Sequence, residues 1–538
     1  MSSPAVRVRD LKVAYPLAER HVLNGVSFEV GRGELALVLG PTGSGKTTLL
    51  LTLAGVIPSL IPARVEGLVE VAGRYPTEEG LASLAGTVGI VFQDPESQYI
   101  MPTVLEEVYF PGENLAFPRD EVARRAVNAL ELVGLSGYRD HRVETLSTGL
   151  KQRLAIASVL ALDPEVLLLD EPTAHIDMRS AREIYELLSV LKRSGKTVIV
   201  VEHRVELAED IADKVIHIRG DGSCEVYPSL RDLVEKVGAK SLAAEGVWLP
   251  PEYAPAAQCR EARGGWSKTA GNPARTPLVE ARDLSVRFGG NNVLSGVNLE
   301  VGRGELVVVL GPNGSGKTTL LKVLAGVLRR YSGYVSIAGG PPHPSKVAFV
   351  AQVPELQFTE RTVEEELASV LQSQGYKKGQ ALQRARELLR ARGLGGLSGR
   401  VVYELSQGEK RLVSFLEMEL LERSVYLLDE PTFGLDMKYS AFVVAEVERL
   451  VREGKTVILV THDSWVLLLL NPKVYGLSRG RIVFEGDLRS LLLSRDAWEE
   501  LAFRPPRYAL KALEEGGLDS VISEHLARLR CLYEDAGA

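Results

Sequence analysis

Two glycine-rich octapeptides, GPTGSGKT at Gly40–Thr47 and GPNGSGKT at Gly311–Thr318, each follow a short apolar run and open a helix-forming segment. Glycines at this spacing let consecutive backbone N–H groups turn toward one anion, and the helix N-terminus behind them adds partial positive charge. This is the chemistry of a phosphate cradle. Gly40, Pro41, Thr42, Gly43, Ser44, Gly45, Lys46, Thr47 and Thr48 are expected to line the first copy. Gly311, Pro312, Asn313, Gly314, Ser315, Gly316, Lys317, Thr318 and Thr319 are expected to line the second. Lys46 and Lys317 would reach the β- and γ-phosphates, and Thr47 and Thr318 would offer a hydroxyl to Mg²⁺.

Further along each half, an apolar run ends in an acidic pair, Asp170–Glu171 and Asp429–Glu430. The first carboxylate of each pair suits a metal beside the phosphates. The second can polarise an attacking water as general base. An acidic turn at a strand end is common by itself, but here the context DEPT occurs twice. Together the residues point to cleavage of a nucleoside triphosphate.

These groups must be positioned by elements that the sequence repeats. GELALVLGPTGSGKTTLL from Gly33 and GELVVVLGPNGSGKTTLL from Gly304 are offset by 271 residues, and the two DEPT segments by 259. The first half carries 12 extra residues around Ile57 to Val65, and after them the offset stays at 259. Gln93 and Gln352, Ser147 and Ser406, and His203 and His462 all keep it. Two homologous domains are the reading: 5–247 and 278–515, with a linker at 248–277 and a tail at 516–538. The stretch from Pro250 to Pro277 is rich in Pro, Gly and Ala without apolar periodicity, as a linker is. Short runs such as Ala36–Leu39, Val166–Leu169 and Val198–Val201 alternate with helical stretches, including Arg124–Val133 and Gln380–Ala391. That alternation predicts an α/β fold with a mostly parallel sheet.

Composition narrows the class. The chain has 538 residues, 45% hydrophobic and 25% charged, enough for two real cores. Its net charge of −7 argues against a uniformly basic nucleic-acid binder. Cys224, Cys259 and Cys531 form no close pair, which disfavours a cysteine metal cluster and suits a reducing compartment. The first residues, MSSPAVRVRD, lack the apolar core of a signal peptide. The longest apolar stretch, Thr48 to Ala63, holds Pro58 and Pro62 and is too short to span a bilayer.

LSTGLKQR (Leu146–Arg153) and LSQGEKRL (Leu405–Leu412) lie upstream of each DEPT by the same distance. They resemble the signature motif of ABC-type ATPases. That family also has an aromatic residue before the phosphate loop, a Gln between loop and signature, and a His after the acidic pair. Tyr15 and Phe288, Gln93 and Gln352, and His203 and His462 occupy those places. The resemblance implies two tandem P-loop NTPase domains, each with a RecA-like core, an antiparallel β subdomain and a helical signature subdomain. It implies stacking of Tyr15 and Phe288 on adenine, contact of His203 and His462 with the γ-phosphate, and Mg²⁺ held by Thr47, Gln93 and Asp170 or by Thr318, Gln352 and Asp429. It further implies head-to-tail pairing within the chain. Lys46, Asp170, Glu171 and His203 would share one ATP with Ser406 and Gly408. Lys317, Asp429, Glu430 and His462 would share the other with Ser147 and Gly149. Both signatures depart from LSGGQ: Thr148 and Gln407 replace a glycine, and Leu150 and Glu409 replace the glutamine. Two hydrolytic sites are expected, not necessarily equal in rate.

The segment FQDPESQYIMPTVLEEVYFPGENL from Phe92 is similar to the energy-coupling-factor branch of the family, which takes up cobalt, nickel and vitamins. AQVPELQFTERTVEEEL from Ala351 keeps part of that pattern, and LPPEY at Leu249 and RPPRY at Arg504 resemble the branch's double-proline helix start. The resemblance implies a transmembrane coupling subunit, a membrane substrate-binding subunit and a place on the cytoplasmic membrane face. Glu96 and Glu355 would meet arginines of the coupling subunit. The substrate would be chosen by another chain. A two-domain ATPase acting on ribosomes or nucleic acid is the alternative, without the basic linker or cysteine cluster that such proteins carry. A binding module without turnover is disfavoured by Glu171 and Glu430. Leu518–Leu532 reads as an amphipathic helix expected to pack on the protein.

Overall fold

The computed structural model describes residues 3–16, 20–174, 176–254, 277–352, 354–432, 435–515 and 518–534. The chain divides into two compact units, Met1–Pro255 and Ala256–Ala538. The expected linker residues 255–276, with Cys259, lie outside the described residues.

In the first unit a six-stranded sheet has the order Val88–Val91, Val166–Asp170, Thr197–Val201, Leu35–Leu39, Lys214–Ile218, Cys224–Tyr227. Its first five strands are parallel and the edge strand Cys224–Tyr227 is antiparallel. The central strands Leu35–Leu39, Val166–Asp170 and Thr197–Val201 are buried along their whole length. This is why they read as unbroken apolar runs rather than alternating ones. A second, antiparallel sheet joins Leu23–Val30, Val6–Ala14 and Arg64–Val71. Helices Val104–Asn114, Arg119–Leu132 and Thr148–Leu160 pack on one another as a third layer.

The second unit repeats this plan. Its six-stranded sheet runs Val347–Val350, Val425–Asp429, Thr456–Val460, Leu306–Leu310, Lys473–Ser478, Arg481–Asp487, and its antiparallel sheet joins Asn291–Val301, Val279–Phe288 and Ser332–Ile337. Helices Val363–Ser373, Lys378–Ala391 and Gln407–Leu420 form the helical layer. Both units are thus α/β with a mixed sheet.

Register places the chemistry. Val38 and Asp170 both pair with Val201, and Val91 pairs with Leu169. The strands that precede Gly40, Gln93, Glu171 and His203 therefore end together at one sheet edge. In the second unit Val309 and Asp429 both pair with Val460, and Val350 with Leu428. Carboxyl ends of parallel strands are where open α/β sheets bind ligands.

The helix read as Arg124–Val133 starts earlier, at Arg119. Pro118 precedes it and Asp120 and Glu121 sit in its first turn, where acidic side chains oppose the helix dipole. The polar opening had hidden the start from an apolar-periodicity reading. Pro505–Pro506 stand before helix Arg507–Glu515, and Pro250–Pro251 lead into the 3₁₀ turn Pro251–Tyr253, after which residues 255–276 lie outside the described residues. The expected tail helix is Leu518–Glu534. It buries Ile522, Leu529 and Leu532 and packs on helices Met437–Arg452 and Ser464–Leu470 of its own unit. Among the described residues no helix is long and apolar enough to cross a membrane.

Candidate nucleotide sites

Each phosphate loop is built on a backbone that only glycine tolerates at one point. Gly40 and Gly311 both have φ of 152°, and a Cβ there would overlap the carbonyl oxygen of Ile218 or Leu477. Behind each loop, helices Lys46–Leu53 and Lys317–Leu324 begin with no side-chain cap and no acidic residue in the first turn. Their first N–H groups are not claimed by a side chain, as an anion site requires. Lys46 is buried, and its Nζ donates to the carbonyls of Gly40 at 2.8 Å and Pro41 at 2.9 Å. Lys317 does the same to Gly311 and Pro312, at 2.8 and 3.0 Å. The ammonium is thereby held folded over the loop it serves.

The acidic pairs sit where the register predicts. Asp170 is buried, and its carboxyl is pushed up to about 6 by burial and by Glu171, against the Thr47 hydroxyl, Lys46 and His203. Asp429 is raised by burial as well, against Thr318 and Lys317. Both carboxylate oxygens of Asp429 are buried without a hydrogen-bond donor among the described residues. A buried carboxylate left without donors beside a threonine hydroxyl has the donor set for a hard divalent cation. Mg²⁺ therefore fits this position.

Glu171 and Glu430 take left-handed backbone, with φ of 46° and 48°, an uncommon conformation for a non-glycine residue. Their N–H groups bond the carbonyls of Val201 and Val460, both at 3.0 Å. In the first unit, His203 Nε2 lies 2.9 Å from one Glu171 oxygen, and Gln93 Nε2 donates to the other at 2.9 Å. Burial works against a charged His203, but the Glu171 carboxylate outweighs it and the imidazole pKa is raised. In the second unit, His462 Nε2 is 3.1 Å from Glu430 Oε1 without hydrogen-bond alignment, and burial raises the Glu430 pKa.

The sequence profile of the ABC transporter family matches residues 23–174 and 294–433. The chain belongs to this family. An ABC transporter ATP-binding candidate of Methanosarcina mazei is 34% identical over 492 residues, covering 89% of this chain and 94% of that one. A candidate HMP/thiamine import ATP-binding protein of Bacillus subtilis is 31% identical over 503 residues, covering 89% and 91%. Among solved structures, the archaeal ribosome recycling factor aABCE1, in complex with the stalk protein aP1, is similar with a TM-score of 0.59 at 20% identity, covering 95% of this chain and 98% of that one. That likeness is one of fold.

As an ABC ATPase the chain carries its signature serines at helix starts. Ser147 Oγ accepts the N–H of Leu150, and Ser406 Oγ that of Glu409. In return the Ser406 N–H donates to the Glu409 carboxylate at 2.8 Å, closing a capping box. The departure of Glu409 from the usual glutamine thus keeps a helix-capping role. Gly149 packs against Ser180 and Gly408 against the Tyr439 ring so tightly that an added Cβ would collide with either side chain.

The two aromatic positions are not equivalent. Phe288 is 51% exposed, whereas Tyr15 is half-buried against the core with its hydroxyl 3.0 Å from Thr48 Oγ1. Glu96 and Glu355 each meet a signature-helix lysine of their own unit, Lys151 and Lys410, the second pair at 2.9 Å. The Glu96 side chain remains 60% exposed.

Several positioning residues were given no role in the motif reading. Gln98 accepts from Phe92 N–H and donates to the Ile90 carbonyl, clamping the glutamine loop to its strand, and Gln357 repeats the clamp. Glu107 and Glu366 are buried and gather two loop N–H groups each, from Ile100 and Met101 and from Thr359 and Glu360. Arg411 is buried and donates at 2.7 Å to the carbonyls of Ala351 and Gln352, where the first unit has Gln152. Gln98, Gln357 and Glu107 lie inside the segments that resemble the energy-coupling-factor branch, and that pattern and the shared offset of 259 were the signals for them.

Glu417 lies beside Glu366, and burial, then the neighbouring carboxylate, pushes its pKa up to about 9. The native state therefore keeps a proton that the unfolded chain releases near 4.5. Stability from this group is present at acid pH and is lost as pH rises through 9. The melting temperature of nucleotide-free protein should fall between pH 5 and 9, and Glu417→Gln should flatten that slope. Thermal melts across this range check it, and an unchanged slope would refute it.

Proposed function

We propose that this ABC ATPase energises import of a micronutrient, a metal ion or a vitamin, through separate membrane subunits. Cleavage follows from the residues at each sheet edge. Lys46 binds phosphate oxygens, Glu171 takes a proton from the attacking water, and Gln93 and His203 hold Glu171 in place; Lys317, Glu430, Gln352 and His462 serve the second site. Thr47, Gln93 and Asp170 would hold Mg²⁺ at the first site, and Thr318, Gln352 and Asp429 at the second, where it would supply charge to stabilise the phosphates.

The observation that carries the transport reading is the loop after Gln93. It carries the Glu96 carboxylate, 60% exposed and paired with Lys151, and four residues later Ile100, which is 63% exposed. An acidic and apolar face suits a cationic amphipathic helix of a partner. Similarity to a candidate HMP/thiamine importer supports the same reading. The double charge reversal Glu96→Arg, Glu355→Arg should remove the chain from washed membranes and from co-purifying membrane subunits, with ATP binding within twofold of native. Undiminished co-purification would count against the groove. Sedimentation of the native chain with ribosomes, rather than membranes, would favour the alternative.

A further inference from the structure

The residue before His203 is a glutamate, and it is buried to 2% exposure. A carboxylate so placed is costly unless donors surround it. Glu202 has four. Its Oε1 accepts the backbone N–H groups of His203 at 2.8 Å and Arg204 at 3.0 Å. Its Oε2 accepts the hydroxyls of Thr173 at 2.6 Å and Tyr185 at 3.0 Å. One side chain thus ties the histidine loop to the threonine of the first DEPT segment and to helix Met178–Arg193.

The second unit builds the same tie from the other side. The position equivalent to Glu202 is Thr461, and the carboxylate has moved to Asp463, just after the histidine. Thr432, equivalent to Thr173, donates to Asp463 Oδ2, and Asp463 N–H bonds Thr461 Oγ1 at 3.1 Å. Two units that differ in residue and position both anchor the histidine loop to the DEPT threonine through a carboxylate.

We propose that Glu202 is a positioning residue for hydrolysis at the first site: it fixes the His203 backbone so that the imidazole meets Glu171. The proposal rests on the assignment of Glu171 and His203 to that site. Misplacing a group by about 1 Å can cost on the order of 10²-fold in rate.

The test is a double-mutant cycle on full-length protein, with ATP turnover and melting temperature measured for each variant. In a Glu430→Gln background, which silences the second site, Glu202→Ala should lower kcat by the same factor as His203→Ala, on the order of tenfold, with KM for ATP within twofold. The double variant should lose no more than either single one. Glu202→Gln, which keeps an acceptor for both N–H groups, should restore most of the rate. If Glu202→Ala fails to fold, Tyr185→Phe combined with His203→Ala provides the cycle with a milder change. Native kcat in Glu202→Ala, or in Tyr185→Phe where that variant carries the cycle, would overturn the proposal while the site assignment stands, provided His203→Ala is impaired. Losses that multiply in the double variant would also overturn it. Native turnover in His203→Ala would remove the site assignment itself, and the proposal with it.

Discussion

Replacing both Glu171 and Glu430 by glutamine should lower steady-state ATP hydrolysis at least ~100-fold, the scale of a lost general base. ATP affinity should stay within a few-fold, because the phosphate loops with Lys46 and Lys317 are untouched. The substitution is nearly isosteric. Glutamine at 171 can still meet Gln93 and His203, which lie 2.9 Å from the native carboxylate. What disappears is the negative oxygen that accepts a proton from water. Either single variant should lose at least half of the turnover, since one of two sites is silenced. Phosphate release and equilibrium ATP binding, measured on the same preparations, decide the matter. A double variant retaining more than about a tenth of native turnover, far above the ~10²-fold loss expected, would remove both residues from the role of base.

A methyl group at Gly311 or Gly40 should be nearly as damaging, for a different reason. The added Cβ would overlap the backbone carbonyl of Leu477 or Ile218. These carbonyls belong to or end strands Lys473–Ser478 and Lys214–Ile218, inside the six-stranded sheets, so the obstacle cannot rotate away. Overpacking and backbone strain, each about 1–3 kcal/mol, act together here. Gly311→Ala or Gly40→Ala should cost about 3 kcal/mol or more and abolish nucleotide binding in its own unit. Gly314→Ala is the control. It has positive φ, 78°, but nothing within 4 Å of the new Cβ, so the cost is about 1–2 kcal/mol. Denaturant midpoints and nucleotide titration compare the pair. Equal losses would show that backbone conformation, not collision, sets the requirement.

The motif residues and the strands that carry them were legible for local reasons. Val166–Leu169 is apolar throughout because the strand is buried on both faces, and Asp170 interrupts it where the sheet ends. The constant offset between halves then made each assignment in one unit a check on the other. The start of helix Arg119–Leu132 was missed because its first turn is polar, and polar first turns are how helices often begin. Tyr15 and Phe288 occupy matching motif positions. Their different surroundings depend on Thr48 and on the local core, which no local pattern encodes.

Duplication, the nucleotide chemistry and the fold class were therefore written in residue type and spacing, because a phosphate loop, an acidic strand end and a signature helix are each defined within a few residues. The tertiary structure added how they work together. Parallel register brings Gln93, Glu171 and His203 to one sheet edge although as many as 110 residues separate them. It also pairs Glu96 with Lys151, surrounds Glu202 with four donors and seats Arg411 against the carbonyls of the Gln352 loop. Each of these depends on a long-range contact and on exclusion of water, and a buried charge reveals its role only when its partners are in view.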